Sequence, residues 1–297
     1  MKRIIILLLS FFLIVSQQFA IKKSTESKSK LKVATFNIRL QTSADTAARS
    51  WDNRKSSVAR IIKQYDFDVF GVQEVGNQHQ EDDLTALLPT YSYFGKGRDN
   101  QEGSKGEQIG IFYKTKRFSI KESGYFFLSE TPETISIGWD AAYRRICVWA
   151  KMYDKNSKTT FFVFCTHFDH IGIKAREESA KLITKKIQSI AKELPVLLVG
   201  DLNASSESSE MYNTLSCYLD DSREKAIIKP TGFEGTFNGY DITSASFDKK
   251  VKIDYIFFRK ATILEYKTLI DKYDSETYPS DHFPVMIVCK IKPNKYH

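Results

Sequence analysis

Nine polar residues of catalytic type fall at or near the ends of apolar, strand-like runs in this 297-residue chain. Asn37 follows VATF, Glu74 follows VFGVQ, Glu107 precedes QIGIFYK and His167 follows FFVFCT. Asp201 and Asn203 follow VLLVG, Asp254 lies inside KIDYIFF, and Asp281 and His282 precede PVMIVCKI. A strand end is where a rigid sheet aims a polar group into a crevice. Asp201 and Asn203, two apart in an extended segment, point to one face. Singly, such residues are turn formers or helix caps. Together they make a hard, oxygen-rich site suited to Mg²⁺ or Mn²⁺ rather than zinc.

The elements that must hold these groups are strands with a few long helices. LKVATFN, DVFGVQE, QIGIFYK, RRICVWAKMY, TTFFVFCTH, PVLLVGD, KIDYIFF and PVMIVCKI are rich in β-branched and aromatic residues and bounded by turn signals. Val58, Ile61, Ile62 and Tyr65 recur at helical spacing, as do Ile183, Ile187, Ile190, Ala191 and Leu194. With no repeat, linker or composition break past the first thirty residues, the pattern predicts one α+β domain over residues 31–297. RRICVWAKMYD and TTFFVFCTH read as a hairpin turning at Lys155–Ser157. Pairing Asp154 with Lys158 sets Arg145 opposite His167, facing the site, where a guanidinium clamps an anion, with Arg144 facing away. A register slip of one residue reverses that choice.

Residues 1–20, with Lys2 and Arg3 before an apolar run from Ile4 to Val15, read as a signal peptide. Residues 21–30 read as a polar, basic tether with nothing to pack. The expected protein is therefore secreted or periplasmic, with peripheral membrane contact possible through the tether lysines. The chain carries 44 Lys+Arg against 36 Asp+Glu, but residues 31–297 hold 38 against 35, too balanced for a trap for polyanions. Cys147, Cys165 and Cys289 sit in apolar runs, and with Cys217 none has zinc spacing, so free thiols are expected. A monomer without a stable protein partner is expected.

The motifs FN at Phe36–Asn37, QE at Gln73–Glu74, TH at Thr166–His167, GDLN at Gly200–Asn203, IDYIF at Ile253–Phe257 and SDHFPV at Ser280–Val285 come in that order. The chain thereby resembles the endonuclease/exonuclease/phosphatase superfamily over Leu31 to Ile291. The resemblance implies a four-layer α/β/β/α sandwich, two mixed sheets face to face between helices, with the site at one end. It implies Glu74 as principal metal ligand with Asn37 and Asp281, Asp201 to orient or deprotonate water, and Asn203 to hold phosphate. His282–Asp254 and His167–Glu107 resemble the family's imidazole–carboxylate pairs.

Departures narrow the expectation. Arg39 stands where abasic endonucleases carry an acid, KIDYIFFRK lacks the arginine-containing motif of 5-phosphatases, and THFDH departs from the sphingomyelinase pattern. LSETP, GWDAA, THFDHIG and YPSDHFPV resemble a group of exported bacterial members. The implied function is an exported, metal-dependent phosphoesterase. The alternatives are a secreted nuclease or a non-catalytic binding protein on the same fold. Three segments, GKGRDNQEGSKGE, LSETPETISIGWD and GFEGTFNGYD, read as walls around a compact ligand, favouring a small or terminal phosphoester over duplex DNA.

Overall fold

The structure, a computed structural model, describes residues 29–45, 47–207, 209–240, 251–272 and 278–292. The expected signal peptide and the tether as far as Lys28 lie outside the described residues. Lys30, assigned above to the tether, is the first residue of the first strand.

Strands and helices are numbered in chain order. One six-stranded sheet contains β1 (Lys30–Asn37), β2 (Val69–Val75), β3 (Tyr91–Gly97), β4 (Gln108–Lys114), β11 (Ala261–Thr268) and β12 (Val285–Ile291), in the spatial order β11-β12-β1-β2-β4-β3. The other contains β5 (Phe118–Phe127), β6 (Ile146–Asp154), β7 (Thr159–His167), β8 (Val196–Asp201), β9 (Asp220–Asp221) and β10 (Asp254–Arg259), in the order β5-β6-β7-β8-β10-β9. The helices are α1 (Trp51–Tyr65), α2 (Asn77–Leu87), α3 (Ile173–Ala191), α4 (Glu210–Ser216) and α5 (Ser222–Lys225).

Apolar residues form three layers. Val33, Val69, Ile111, Val148, Val163, Val199 and Ile287 meet between the sheets. Phe70, Phe112 and Val72 on the outer face of the first sheet cover Val58, Ile61 and Ile62 of α1. Phe162, Phe164 and Leu198 on the outer face of the second cover Ile183 and Ile187 of α3. Strands clad on both faces need apolar residues at every position, which is why β7 reads FFVF rather than alternating. Gly71 lets the sheets approach: a Cβ there would lie 2.4 Å from Val199 Cγ2 and 2.9 Å from Cys165 Sγ. All four thiols are free, Cys147, Cys165 and Cys289 buried and Cys217 exposed.

Topology gathers the polar residues at one end. The pairs β1–β2 and β7–β8 are parallel and occupy the centre of each sheet, so Asn37, Glu74, His167 and Asp201 all lie where central strands finish. Antiparallel neighbours begin at that same end, which brings in Glu107 before β4, Asp254 at the start of β10 and His282 before β12. Register sets Asp201 between His167 on one side and Asp254 on the other.

The β6–β7 hairpin corrects the sequence reading by one residue. Asp154 pairs with Thr159, not Lys158, and Cys147 with Thr166. Lys158 takes a left-handed φ of 59°, and the Asp154 carboxylate accepts from Asn156 N (2.9 Å) and Ser157 Oγ (2.8 Å), closing a loop one residue longer than expected. Arg145 nonetheless faces the site. It precedes β6, so strand alternation does not govern it, and Asp169 sets its direction (Nε to Oδ2, 3.4 Å).

Candidate active site

Eight of the ten sequence-identified residues line one cavity of about 360 Å³: Glu74, Glu107, Arg145, His167, Asp201, Asn203, Asp281 and His282. The other two support it from behind, Asn37 with no exposure and Asp254 with 1%.

Asp201 Oδ2 is the centre. It accepts from Asn37 Nδ2 at 3.0 Å and faces His167 Nε2 at 3.5 Å and His282 Nε2 at 3.7 Å. Each imidazole is anchored through its far nitrogen, His282 Nδ1 on Asp254 Oδ2 at 2.9 Å and His167 Nδ1 on Glu107 Oε1 at 3.1 Å. Asp201 Oδ1 accepts from the Asn203 backbone at 2.9 Å, turning the Asn203 amide to His167 Nε2 and Phe168 O, both at 3.0 Å. That turn requires φ of 50° at Asn203, and Arg39 (64°) and Glu74 (58°) are likewise left-handed. Non-glycine residues held there carry strain that the surrounding structure must offset.

Charge is concentrated and largely buried. Burial opposes ionisation of Glu107, but the His167 hydrogen bond and the charges of His167, Arg98 and Arg145 outweigh it and push the carboxyl down to about 2. Burial likewise opposes charge on His282, yet Asp254 and Asp201 raise its pKa well above the ordinary value. Asp281 is raised, first by burial and then by the negative Glu74, although His282 and Arg39 pull the other way.

The donor set fits a hard divalent cation. Glu74 and Asp281 share the cavity wall, and their mutual repulsion is what a cation relieves. Glu74 accepts from Asn37 Nδ2 (3.0 Å) and Leu40 N (2.9 Å), which fixes its direction. The Asn37 amide nitrogen, not its oxygen, faces the carboxylates, while Oδ1 takes Arg39 N at 3.0 Å, so here Asn37 joins Glu74 to Asp201. Ligand-type atoms of Asp201, Asp254 and His282 also lie within 4.8 Å of one another.

Sequence reasoning passed over several lining residues. Arg39, noted only as a missing acid, pairs with Asp281 and Asp45, both at 3.2 Å. Arg98 binds Glu107 at 3.1 Å. Tyr143, His170 and Phe237 line the mouth. Arg98 and Phe237 fall within two of the segments read as walls. The third, LSETPETISIGWD, contributes no lining residue and instead braces the site: Leu128 N donates to Arg145 O at 2.7 Å, and Asp140 Oδ1 accepts from Ala175 N at 2.6 Å. Arg54 of α1, also overlooked, donates to the carbonyls of Ile38, Arg39, Arg49 and Pro279 and so fixes the loop after β1.

Two solved Bacteroides thetaiotaomicron structures share this architecture. An endonuclease/exonuclease/phosphatase family protein is 38% identical with a TM-score of 0.81, covering 89% of this chain and 98% of its own. A mannosyl-6-phosphatase is 38% identical with a TM-score of 0.80, covering 87% and 99%. Nocturnin of Drosophila melanogaster is 23% identical over 83% of this chain, which spans 43% of that protein's length. The family model matches residues 34–282, from β1 to the histidine beside Asp254, and the chain belongs to the endonuclease/exonuclease/phosphatase family.

Proposed function

We propose that the protein is an exported, divalent-metal-dependent phosphoesterase that removes phosphate from a small or terminal ester such as a sugar phosphate. The observation that carries this reading is the cavity itself: about 360 Å³, with both imidazoles on its wall, His167 held by Glu107 and His282 by Asp254 behind it, a volume suited to a compact ligand. The likeness to a mannosyl-6-phosphatase supports it.

In this reading Asp201 orients water and takes its proton as the water oxygen bonds to phosphorus. Asn203 holds the phosphate, Arg145 clamps its oxygens, and the His282 imidazolium, fixed by Asp254, faces the charge that develops as the bond to the alcohol oxygen breaks. His167 is held by Glu107 beside the same phosphate. Glu74 and Asp281, with Asn37 behind, would hold Mg²⁺ or Mn²⁺; bound there, such an ion polarises a phosphoryl oxygen.

The test is phosphate release by purified protein, with Mg²⁺, Mn²⁺ or chelator, from hexose phosphates, nucleotides and phospholipid head groups, beside nicking of duplex DNA. Metal-dependent release from small esters is expected. Cleavage of DNA without hydrolysis of any small ester would overturn the reading.

A further inference from the structure

One wall of the cavity is built more elaborately than phosphate chemistry requires. Asp169, with 1% side-chain exposure, accepts from Ala142 N (3.1 Å), Tyr143 N (3.2 Å), Ile171 N (3.0 Å) and Gly172 N (2.8 Å) as well as Arg145 Nε (3.4 Å). It thus staples the segment before β6 to the segment after β7. Gly172 permits that approach, since a Cβ there would lie 2.6 Å from Asp140 Oδ1. The staple presents two rings at the cavity mouth: Tyr143, 52% exposed, and His170, stacked on it at 5.7 Å and 18°. Arg98 lies over the Tyr143 ring at 5.0 Å, and Arg145 Nη2 is 3.4 Å from His170 Nδ1.

Spare donors and balanced charge then define what this wall accepts. Arg145 Nη1 and Arg98 Nε are buried without a hydrogen-bond partner among the described residues, and Arg145 as a whole is 5% exposed. Arg98 and Arg145 share Glu107, at 3.1 and 3.6 Å, and Arg145 also faces Asp169. Two guanidiniums against two carboxylates leave the wall rich in N–H and O–H donors but without surplus positive charge. A second phosphate would be desolvated here without a balancing cation, whereas hydroxyl oxygens would find donors.

We propose that Tyr143 and His170, backed by Arg98 and Arg145, form the subsite for the alcohol portion of the ester, and that this portion is uncharged and hydroxyl-bearing, as a sugar ring is. The inference rests on the phosphoesterase reading and sharpens its substrate class.

The experiment compares kcat/KM on hexose 6-phosphates, a hexose bisphosphate and methyl phosphate for the wild type, Tyr143→Ala and His170→Ala. Wild type is expected to favour a hexose 6-phosphate over methyl phosphate by about 10²-fold, because a site that hydrogen-bonds hydroxyls rejects an analogue lacking them. Each variant is expected to reduce that ratio about 10-fold, chiefly through KM. Unchanged ratios in both variants, or a strong preference for the bisphosphate, would overturn the subsite. Absence of hydrolysis of every monoester would instead sink the phosphoesterase reading. Saturation-transfer NMR with free hexose then decides the subsite separately: a transfer signal seen with wild type and abolished in Tyr143→Ala supports it, and no signal with wild type overturns it.

Discussion

Asp201 Oδ2 takes a hydrogen bond from Asn37 and lies within 4 Å of both imidazoles, so changing one atom there disturbs the whole site. Asp201→Asn replaces that oxygen or its partner with an N–H donor facing other donors. It should lower turnover by at least about 10²-fold, as should His282→Ala, with circular dichroism unchanged. Near-normal rates in either variant would contradict the assigned roles. Glu74→Gln should weaken Mg²⁺ and Mn²⁺ binding in titration calorimetry, because an amide oxygen offers a hard cation no charge. Glu107 yields a prediction about pH. Its carboxyl is held down at about 2, against about 4.3 unfolded, so its ionised form stabilises the fold above the unfolded value and that stabilisation is lost as pH falls through about 2. The melting-temperature gap between wild type and Glu107→Gln should therefore be full at pH 7 and close toward pH 2; a gap independent of pH would refute the linkage. These residues were legible because each sits against a strand whose apolar run marks its position. Arg39 and Arg98 were not, since a long side chain on a loop reaches the cavity from a place no periodicity indicates.

At the scale of elements, the eight strands read from sequence are β1, β2, β4, β6, β7, β8, β10 and β12. The four that escaped, β3, β5, β9 and β11, are the edges of the two sheets. Edge strands carry charged and half-exposed residues that blunt pairing with other chains, as Lys121 and Glu122 do in β5 and Glu265 and Lys267 in β11. The same residues erase the apolar signature. The site draws on central strands, so its framework was visible even though the sheets' full width was not. Helix α1 shows what the pattern of apolar spacing could not convey. Val58, Ile61 and Ile62 announced the helix, but its buried Arg54, with Nε 2.9 Å from Arg49 O and Nη1 3.2 Å from Pro279 O, ties the helix to the loops that carry Arg39 and Asp281. Arg54→Met keeps the apolar stem and leaves four carbonyls without that donor. It should cost about 2–4 kcal/mol in urea denaturation and raise KM, since the left-handed Arg39 loses its brace. A cost below about 0.5 kcal/mol, ordinary for a surface change, would show that water replaces the guanidinium freely.

Over the whole molecule, charge and shape bear on the same question of substrate. A duplex-binding nuclease draws affinity from counterion release, and its binding falls with salt at a slope near −0.9 per phosphate neutralised. Residues 31–297 hold 38 basic against 35 acidic side chains. The arginines nearest the cavity are moreover committed in pairs, Arg39 to Asp45 and Asp281, Arg98 to Glu107, Arg144 to Asp99 and Arg145 to Glu107 and Asp169. Paired guanidiniums have few counterions to release, so a long phosphate backbone would gain little by lying across this end of the sandwich. A single phosphate seated between the two histidines loses little by comparison, because the groups that meet it are inside the cavity and screened from added salt. Hydrolysis of small esters should accordingly change by less than about threefold in kcat/KM between 50 and 200 mM salt, whereas a protein making 6–10 phosphate contacts loses about 10³–10⁵ in affinity over that range. Efficient nicking of duplex DNA that collapses with salt, beside negligible turnover of small esters, would mean that the loops around the mouth supply a basic track which net charge conceals.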